Sequence, residues 1–396
     1  MTHNLKMSAL GLAAGASMLM LNPYVAPAGA ADLGGDCCAD LEERVAELEA
    51  TTARKGNRKV SLEVYGQVTT AVMWWDTAGE SNVYVVDPQT SNTRFGMRGK
   101  AAINSDLEAG YQLELAWQTA DATRVTRDSD EGEDVPEFRQ AHWYILSKTW
   151  GQVRVGFADT ANSGIAEIDL SNASIADAMS SSQAGLAIIG NSIADGGLGG
   201  PRLDNFEFNR KNIVRYDTPT FDGFVATVAW GEDDIWDVAL RYAGEFGGFK
   251  IAAGIAYGED TDRNNGGGGF ADPVQRILNG GVSVLHVTTG LFVSASAGER
   301  DAADFRSTES FWFVSSGIER KWFTIGATTL FGMGGEYEDR LDRSAHYWGL
   351  GAVQKIDAAA MDLYISYRHY DLDGGVAGPV LDDEFDTVVA GARIKF

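Results

Sequence analysis

The final segment of the chain, Phe385 to Phe396, alternates between two kinds of side chain and ends on an aromatic residue. Side chains of a β-strand point alternately to opposite faces. One face carries Val388, Ala390, Ala392, Ile394 and Phe396, and the other carries Thr387, Val389, Gly391, Arg393 and Lys395. The first face suits lipid, the second suits water, and a terminal Phe suits the aromatic girdle of a membrane barrel. The edge strand of a soluble sandwich is the alternative that this segment leaves open.

Composition restricts how a chain of 396 residues can enter a membrane. Mean hydropathy is -0.16, and no later segment supplies the roughly 20 apolar residues that a spanning helix needs. Membrane residence would therefore depend on alternating strands. The excess of glycine over proline, 47 against 8, favours turns and uninterrupted strands. A net charge of -24 argues against a nucleic-acid partner, which would need a basic surface.

The start of the chain predicts export. Lys6 precedes a short apolar stretch, Leu10 to Leu21, and small residues at 28–30 suit cleavage before Ala31. Together they predict a signal peptide over residues 1–30. Cys37 and Cys38 are the only cysteines. Because two adjacent cysteines build no disulfide framework and a metal site needs more ligands, we expect a terminal feature without a catalytic or metal-binding role.

Residues 31–58 are predicted to form a periplasmic coiled-coil segment and linker. Leu41, Val45 and Leu48 recur at coiled-coil spacing among acidic residues. A helix this short is marginal alone, so we expect it to form by association as a trimerisation helix. Small residues around 252–258 are expected to face outward and to pack against neighbouring subunits. A lone amphipathic linker is the alternative for the helix.

Segments of strand length with period-two alternation recur throughout residues 59–396 and predict an all-β fold, a transmembrane antiparallel barrel of about 16 strands. Short turns alternate with long connections, as expected for periplasmic turns and outer loops. The first strands place Arg94, Arg98 and Lys100 on the wet face. The predicted strands cover 60–75, 93–104, 107–119, 138–149, 151–158, 208–218, 222–231, 235–246, 248–259, 274–287, 290–299, 308–320, 321–331, 343–356, 360–371 and 384–396.

Two longer runs carry a resemblance to a known family. The run from Asn92 to Trp117 resembles the early hairpin of general-diffusion porins, and Phe208 to Pro219, with the Phe-Asp-Gly-Phe that follows at 221–224, is similar to a mid-barrel signature of alphaproteobacterial porins. The terminal Phe396 is similar to the assembly signal of Gram-negative outer-membrane proteins. The resemblance implies a sixteen-stranded barrel, usually a homotrimer, whose third outer loop folds inward to narrow the pore.

The segment 158–207 is the longest connection, and it follows the fifth predicted strand, where these porins keep their constriction loop. The resemblance implies that acidic loop residues face basic residues of the wall, and opposed charges select permeants by charge. Strict alternation, or parity, places Arg139 on the same face as Trp143, so the sequence leaves open whether Arg139 faces the pore. The predicted acidic set is Glu167, Asp169 and Asp177, and the predicted basic set is Arg94, Arg98, Lys100, Lys211 and Arg215.

The predicted function is passive diffusion of ions and small hydrophilic solutes across the bacterial outer membrane, with weak cation preference and no cofactor. An envelope-anchoring barrel with little conductance is the alternative. Scattered histidines and the lack of a nucleophile turn argue against an enzyme, although spacing alone cannot exclude a barrel lipase. Outer-membrane lipid and lipopolysaccharide are the expected surroundings. The acidic run 128–134 is a candidate for weak divalent cations, with simple solvation as its alternative.

Overall fold

The computed structural model describes residues 59–396, apart from 78, 118, 131–135, 178–184, 186–187, 189–202, 204, 232–233, 262–274, 303–307, 339–342 and 374–383. The predicted signal peptide and coiled-coil segment, including Leu41, Val45 and Leu48, lie outside the described residues. Among the described residues, no helix has both the length and the apolar character needed to cross a bilayer.

Seventeen strands form one antiparallel sheet. It closes on itself because β1 pairs with the last strand as well as with the strands that follow it. The strands are β1 (Glu63–Thr77), β2 (Glu80–Val86), β3 (Arg94–Ala102), β4 (Leu107–Trp117), β5 (Pro136–Ser147), β6 (Gly151–Asp159), β7 (Arg210–Asp217), β8 (Phe224–Gly231), β9 (Ile235–Phe246), β10 (Phe249–Asp260), β11 (Gln275–His286), β12 (Leu291–Ala302), β13 (Glu309–Phe323), β14 (Gly326–Glu338), β15 (Ser344–Ile356), β16 (Met361–Asp373) and β17 (Glu384–Lys395).

The barrel closes where the terminal strand, β17, pairs with β1. β17 pairs with β1 from Gln67 opposite Lys395 to Thr77 opposite Phe385. The last residue adds a final pair of bonds, because Phe396 N–H donates to Gly66 O and Gly66 N–H donates to Phe396 O, both at 3.0 Å. The Phe396 ring remains exposed on the outer surface. The predicted outward face of this strand is confirmed.

The seventeen strands make sixteen positions around the barrel. β2 pairs with residues 71–77 of β1, and β3 pairs with residues 63–67 of the same strand, so β2 and β3 occupy one position in succession. The prediction of about sixteen strands is confirmed, but β2 was missed. It is short, and the chain leaves the wall at Pro88, which has no N–H for the ladder. We call residues 87–93 the lumen excursion.

The turn between β13 and β14 lies later than predicted. We expected it between residues 320 and 321, but β13 continues to Phe323, and the turn is at Thr324 and Ile325. The pairing of the two strands shifts between Arg320 and Phe323, which inserts residues that alternation alone does not anticipate. As a consequence, β14 reaches Glu338, within the segment predicted to be an outer loop.

The outer face of the barrel is apolar between two aromatic girdles. Valines of β1 such as Val68 and Val72 are exposed, whereas Gln67 and Thr69 point inward and are buried. Exposed rings mark both rims, as a membrane barrel requires. The rim of long loops carries Trp74, Trp230, Trp312 and Trp348, and the rim of short turns carries Trp150, Phe246, Phe323 and Phe396.

Part of the inner wall is an aromatic core rather than a wet surface. Inward rings of β13 to β17 are 0 to 5 % exposed and stack at centroid distances of 5.2 to 6.3 Å. Apolar residues of the long connection after β6, such as Ile175 and Leu203, belong to the same core. That connection is therefore packed onto the wall. The rings are Phe206 of the connection and Phe311, Phe313, Tyr337, Tyr347, Tyr370 and Phe385 of the wall.

Candidate functional site

We call the connection between β6 and β7, residues 160–209, the inward loop, because its described residues lie against the inner face of the barrel wall. Its first residues are held by charged side chains of the wall. Arg215 Nη1 donates to the carbonyls of Asp159 and Thr160 at 3.0 and 2.9 Å. Arg241 Nη2 donates to the carbonyls of Ala161 and Ser163 at 2.7 and 2.8 Å. Because charge-assisted hydrogen bonds are the strong ones, these contacts fix where the loop enters the lumen.

The middle of the loop lies against β10 and β11 because these strands present glycines to it. A Cβ at Gly254 would lie 2.7 Å from Ile165 Cδ1, and a Cβ at Gly281 would lie 2.2 Å from Ile165 O. Ala252 and Ala256 are buried in the same inner wall. The expectation that small residues at 252–258 face outward toward other subunits is therefore wrong for these positions. They face inward and admit the loop.

Farther along, wall side chains hold the loop through its backbone. Leu170 N–H donates to Ser283 Oγ at 2.9 Å, and Asn172 N–H donates to Glu319 Oε2 at 3.0 Å. Arg368 Nη2 then donates to the carbonyls of Ala176 and Asp177 at 2.9 and 3.1 Å. The described part of the loop thus follows the wall from β9 to β16, and Gly185 lies against Phe385 at the start of β17.

At residue 175 the loop meets the lumen excursion. Thr90 Oγ1 of the excursion donates to Ile175 O at 3.0 Å. The excursion is itself held by Asp87, whose carboxylate accepts Thr93 N–H at 3.1 Å, and burial raises the pKa of Asp87 to about 6. On the wall, Gln67 Nε2 donates to Asn92 O at 2.7 Å. The lumen excursion therefore supports the loop near residue 175.

The two ends of the loop are joined by Glu207. Its carboxylate accepts the N–H groups of Gly164 and Ala166 at 2.7 and 2.9 Å. Burial, and then the negative charge of nearby Glu167, raises the pKa of Glu207 well above its usual range. Asn205 Nδ2 donates to Glu167 Oε1 at 3.2 Å. Neither Glu207 nor Asn205 was singled out from the sequence, because neither belongs to a periodic segment.

The three predicted acidic residues occupy different surroundings. Glu167 is exposed in the lumen side of the loop. Asp169 is tied to the wall by Ser294 Oγ, which donates to its Oδ1 at 2.8 Å, and burial raises the pKa of Asp169. Asp177 is only 1 % exposed. The structure therefore places one of the three on an open surface and the other two against protein.

The predicted basic residues divide into three groups. Arg98 and Lys100 point inward near the short-turn end, where Arg98 Nε donates to Glu63 at 3.0 Å and Lys100 lies 3.3 Å from Glu108. Arg215 is buried as a loop anchor, and Lys211 is half-buried in β7, with Ala158 as its partner in β6. Arg94 alone joins the cluster of arginines described next.

Four arginines gather on the wall formed by β17, β3, β5 and the start of β7. Arg94 and Arg139 share Glu114, with N to O distances of 3.7 and 2.8 Å. Arg210 pairs with Asp159 at 3.4 Å, and Arg393 pairs with Asp362 at 2.7 Å. Arg94 is within electrostatic reach of the other three guanidinium groups. We call Arg94, Arg139, Arg210 and Arg393 the arginine cluster. It includes only one of the five predicted basic residues.

Arg139 joins the cluster because of a β-bulge. Glu114 of β4 is opposite Gln140, and the next residue, Leu115, is opposite Phe138, so Arg139 is the extra residue of the pairing. A bulge re-aims side chains and breaks strict alternation. Phe138 consequently faces outward, 62 % exposed, and Arg139 Nε reaches Glu114 Oε1 at 2.8 Å. The bulge therefore directs Arg139 to the same side of the wall as Glu114, although strict alternation places it on the face of Trp143.

Comparison with known proteins gives one family and a set of similar folds. A family model described as Gram-negative porin matches residues 15–375. A search of curated proteins finds no match.

Among solved structures, the chain is similar to an anion-selective porin from Comamonas acidovorans, with 18 % identity and a TM-score of 0.58 over 85 % of this chain and 100 % of that one. It is similar to the outer membrane protein OmpT of Vibrio cholerae in its trimer form, with 15 % identity and a TM-score of 0.56 over 85 % and 99 % of the two chains. It is also similar to OprB of Pseudomonas putida, with 10 % identity and a TM-score of 0.57 over 90 % of this chain and 96 % of that one. At these identities the likeness shows a shared fold.

Proposed function

Because the chain belongs to the Gram-negative porin family, it forms an outer-membrane channel for passive diffusion of ions and small hydrophilic solutes, and we propose that its constriction lies between the inward loop and the arginine cluster. The observation that supports this placement is the distribution of the two elements over the wall. The loop enters at Arg215 of β7 and is then held along β9 to β16, with Gly185 against the start of β17. The cluster lies on β3, β5, the first residue of β7 and the last part of β17. Membership of a channel family also favours a channel over an enzyme.

The charges on the two sides would act on permeating ions across a narrow, partly dehydrated space. The cluster contributes four guanidinium groups against the three carboxylates of Glu114, Asp159 and Asp362. The loop contributes Glu167 as its exposed carboxylate. Opposed charges in a low-dielectric passage produce a field that orients water and sorts ions. Arg98 and Lys100, which lie near the short-turn end of the barrel, would act nearer a mouth of the channel than at its narrowest part.

We expect weak cation preference for the intact channel, because the net charge of -24 concentrates cations at the mouths. The preference should fade as salt rises, since screening shortens the reach of these charges. The positive charges of the arginine cluster would reduce this cation preference at the narrowest part of the channel. The Comamonas acidovorans porin is named as anion-selective, so the sign for this chain depends on which contribution dominates.

Replacing Arg94 and Arg139 together by glutamine should shift the reversal potential in a potassium chloride gradient toward cations. We expect a change on the order of fivefold in the permeability ratio, because a unit charge at about 4 Å is worth about 1 kcal/mol in water. Glu167→Gln should move the potential the other way. Arg276→Gln, on the exposed outer face, is the control for loss of a positive charge outside the lumen. Unchanged potentials in both lumen variants would mean that the constriction has been placed on the wrong residues.

The same bilayer recordings distinguish this channel from the rival function, an envelope-anchoring barrel with little conductance. A water-filled channel gives large stepwise increases in current as molecules insert. Well-folded protein that inserts without conducting would support the rival.

We propose that the protein is a homotrimer held in part by the predicted coiled-coil segment within residues 31–58. The trimer form of the Vibrio cholerae protein supports the assembly, and a coiled coil of three strands would explain the spacing of Leu41, Val45 and Leu48. Replacing these three by serine should weaken the trimer and leave the barrel folded, as measured by native mass and by heat-modifiable migration. Glu43→Ser with Glu47→Ser, off the apolar stripe, is the control. A mass that is the same before and after the apolar substitutions would argue against the helix as the trimer contact.

Lipid and lipopolysaccharide are the proposed surroundings of the outer face, whose apolar band lies between the two girdles. Divalent cations at the acidic run 128–134 stay a prediction, and residues 131–134 of that run lie outside the described residues.

A further inference from the structure

A small cavity lies where the inward loop, the lumen excursion and β16 meet. Its volume is about 10 Å³, enough for one particle of the size of a water molecule. Six of its lining residues define it: Tyr364, Ser366 and Arg368 from β16, Ile175 and Ala176 from the loop, and Thr90 from the excursion.

Hydrogen-bond donors without acceptors line this cavity. Arg368 is 3 % exposed, its Nη2 donates to the carbonyls of Ala176 and Asp177, and its side chain also lies within hydrogen-bond reach of Tyr370. Its Nε and Nη1 have no partner among the described residues, and neither has the hydroxyl of Tyr364, which is 5 % exposed. Within the described part of the chain, Arg368 also forms no ion pair, whereas Arg393 of the adjacent strand pairs with Asp362.

An unpaired cation in this position would be expensive. Burying a charged group without a counter-charge costs several kcal/mol, and donors left without acceptors add to that cost. The carboxylate of Asp87 acts on Tyr364 from a distance, but no carboxylate of the described residues forms an ion pair with Arg368. A water molecule could accept hydrogen bonds here, but it would leave the positive charge without a partner in direct contact. A monatomic anion fits the volume, accepts from every donor and supplies the missing charge.

We propose that this cavity binds a chloride ion, held by Nε and Nη1 of Arg368 and by the hydroxyl of Tyr364. The ion would connect the wall to the loop at the point where Arg368 also holds the carbonyls of Ala176 and Asp177. The bound ion therefore stabilises the position of the loop near residues 175–177. This site is separate from the permeation path, and its existence does not depend on the selectivity proposed above.

Diffraction from crystals of the full-length protein grown or soaked in sodium bromide tests the site directly. We expect an anomalous difference peak for bromide within hydrogen-bond distance of Arg368 and Tyr364. A density feature at this place without anomalous signal, at a bromide concentration that labels other halide sites, would identify a water molecule and overturn the proposal.

Unfolding in chloride and in gluconate at equal ionic strength provides a second test. A ligand that binds only the folded state stabilises it increasingly with concentration, so the unfolding midpoint of the wild type should rise with each tenfold increase in chloride. Tyr364→Phe should reduce this dependence, and Arg368→Gln should remove it. Tyr367→Phe, on the outer face of the same strand, should keep the wild-type dependence. If Arg368→Gln fails to fold, Tyr364→Phe decides, and an unchanged dependence in that variant would exclude the hydroxyl as a ligand.

Discussion

Replacing Gly281 by alanine is expected to push the inward loop away from the wall and to lower single-channel conductance. The new Cβ would lie 2.2 Å from the carbonyl oxygen of Ile165, a backbone atom that cannot move without the loop. Overpacking of this kind costs about 1–3 kcal/mol. Because the loop can move only toward the lumen, we expect smaller and noisier current steps in planar bilayers, together with a lower unfolding midpoint.

The neighbouring glycine provides the control. A Cβ at Gly280 would meet only Gly254 O, at 3.4 Å, so Gly280→Ala should behave like the wild type. Both changes add one methyl group to adjacent positions of the same strand, and they differ in the face to which it points. Equal conductance in the two variants would mean that the loop does not lie on β11.

Removing the guanidinium of Arg241 has the other large effect that we expect. Arg241→Met keeps much of the side-chain volume but leaves the buried carbonyls of Ala161 and Ser163 without their donors. Hydrogen bonds to charged groups are worth about 1.5–3 kcal/mol each. The variant should therefore lose stability and show frequent fluctuations of the open-channel current, because the start of the loop is no longer held.

Arg276→Met is the matched control, since Arg276 is exposed and pairs with Glu259 on the outer face. Surface ion pairs contribute about 0–1 kcal/mol, so this variant should be nearly neutral. Steady currents and an unchanged midpoint in Arg241→Met would show that Arg241 does not anchor the loop.

The alternation of side chains was enough to predict the barrel, because lipid outside and water inside impose a period of two on every strand. Parity alone placed Arg94 and Arg393 on the inner face, where the structure has them. It failed for Arg139, because a bulge adds one residue to β5 and the sequence carries no local signal for it. It also missed β2, whose few residues are followed at once by Pro88.

The interior was harder to predict than the wall. Inward positions of a channel are expected to be polar, yet Tyr347 and Tyr370 are buried there, since the loop covers them. Which inward positions are covered depends on the path of a loop that has no periodicity. For the same reason the burial of Asp177 and the anchoring role of Asp169 could not be derived from their positions in the sequence.

Besides the packing of its apolar side chains, the inward loop is held by wall side chains that hydrogen-bond mainly to its peptide groups. The carbonyls of Ala161 and Ala176 and the N–H groups of Asn162 and Leu170 receive these contacts. A peptide group is the same whichever side chain it carries, so the course of the loop is largely insulated from changes at its exposed positions. Exposed residues such as Glu167 and Ser174 could therefore be replaced by cationic or aromatic residues, or by residues for chemical labelling. Such variants would line the channel with different side chains while the backbone of the loop keeps its course.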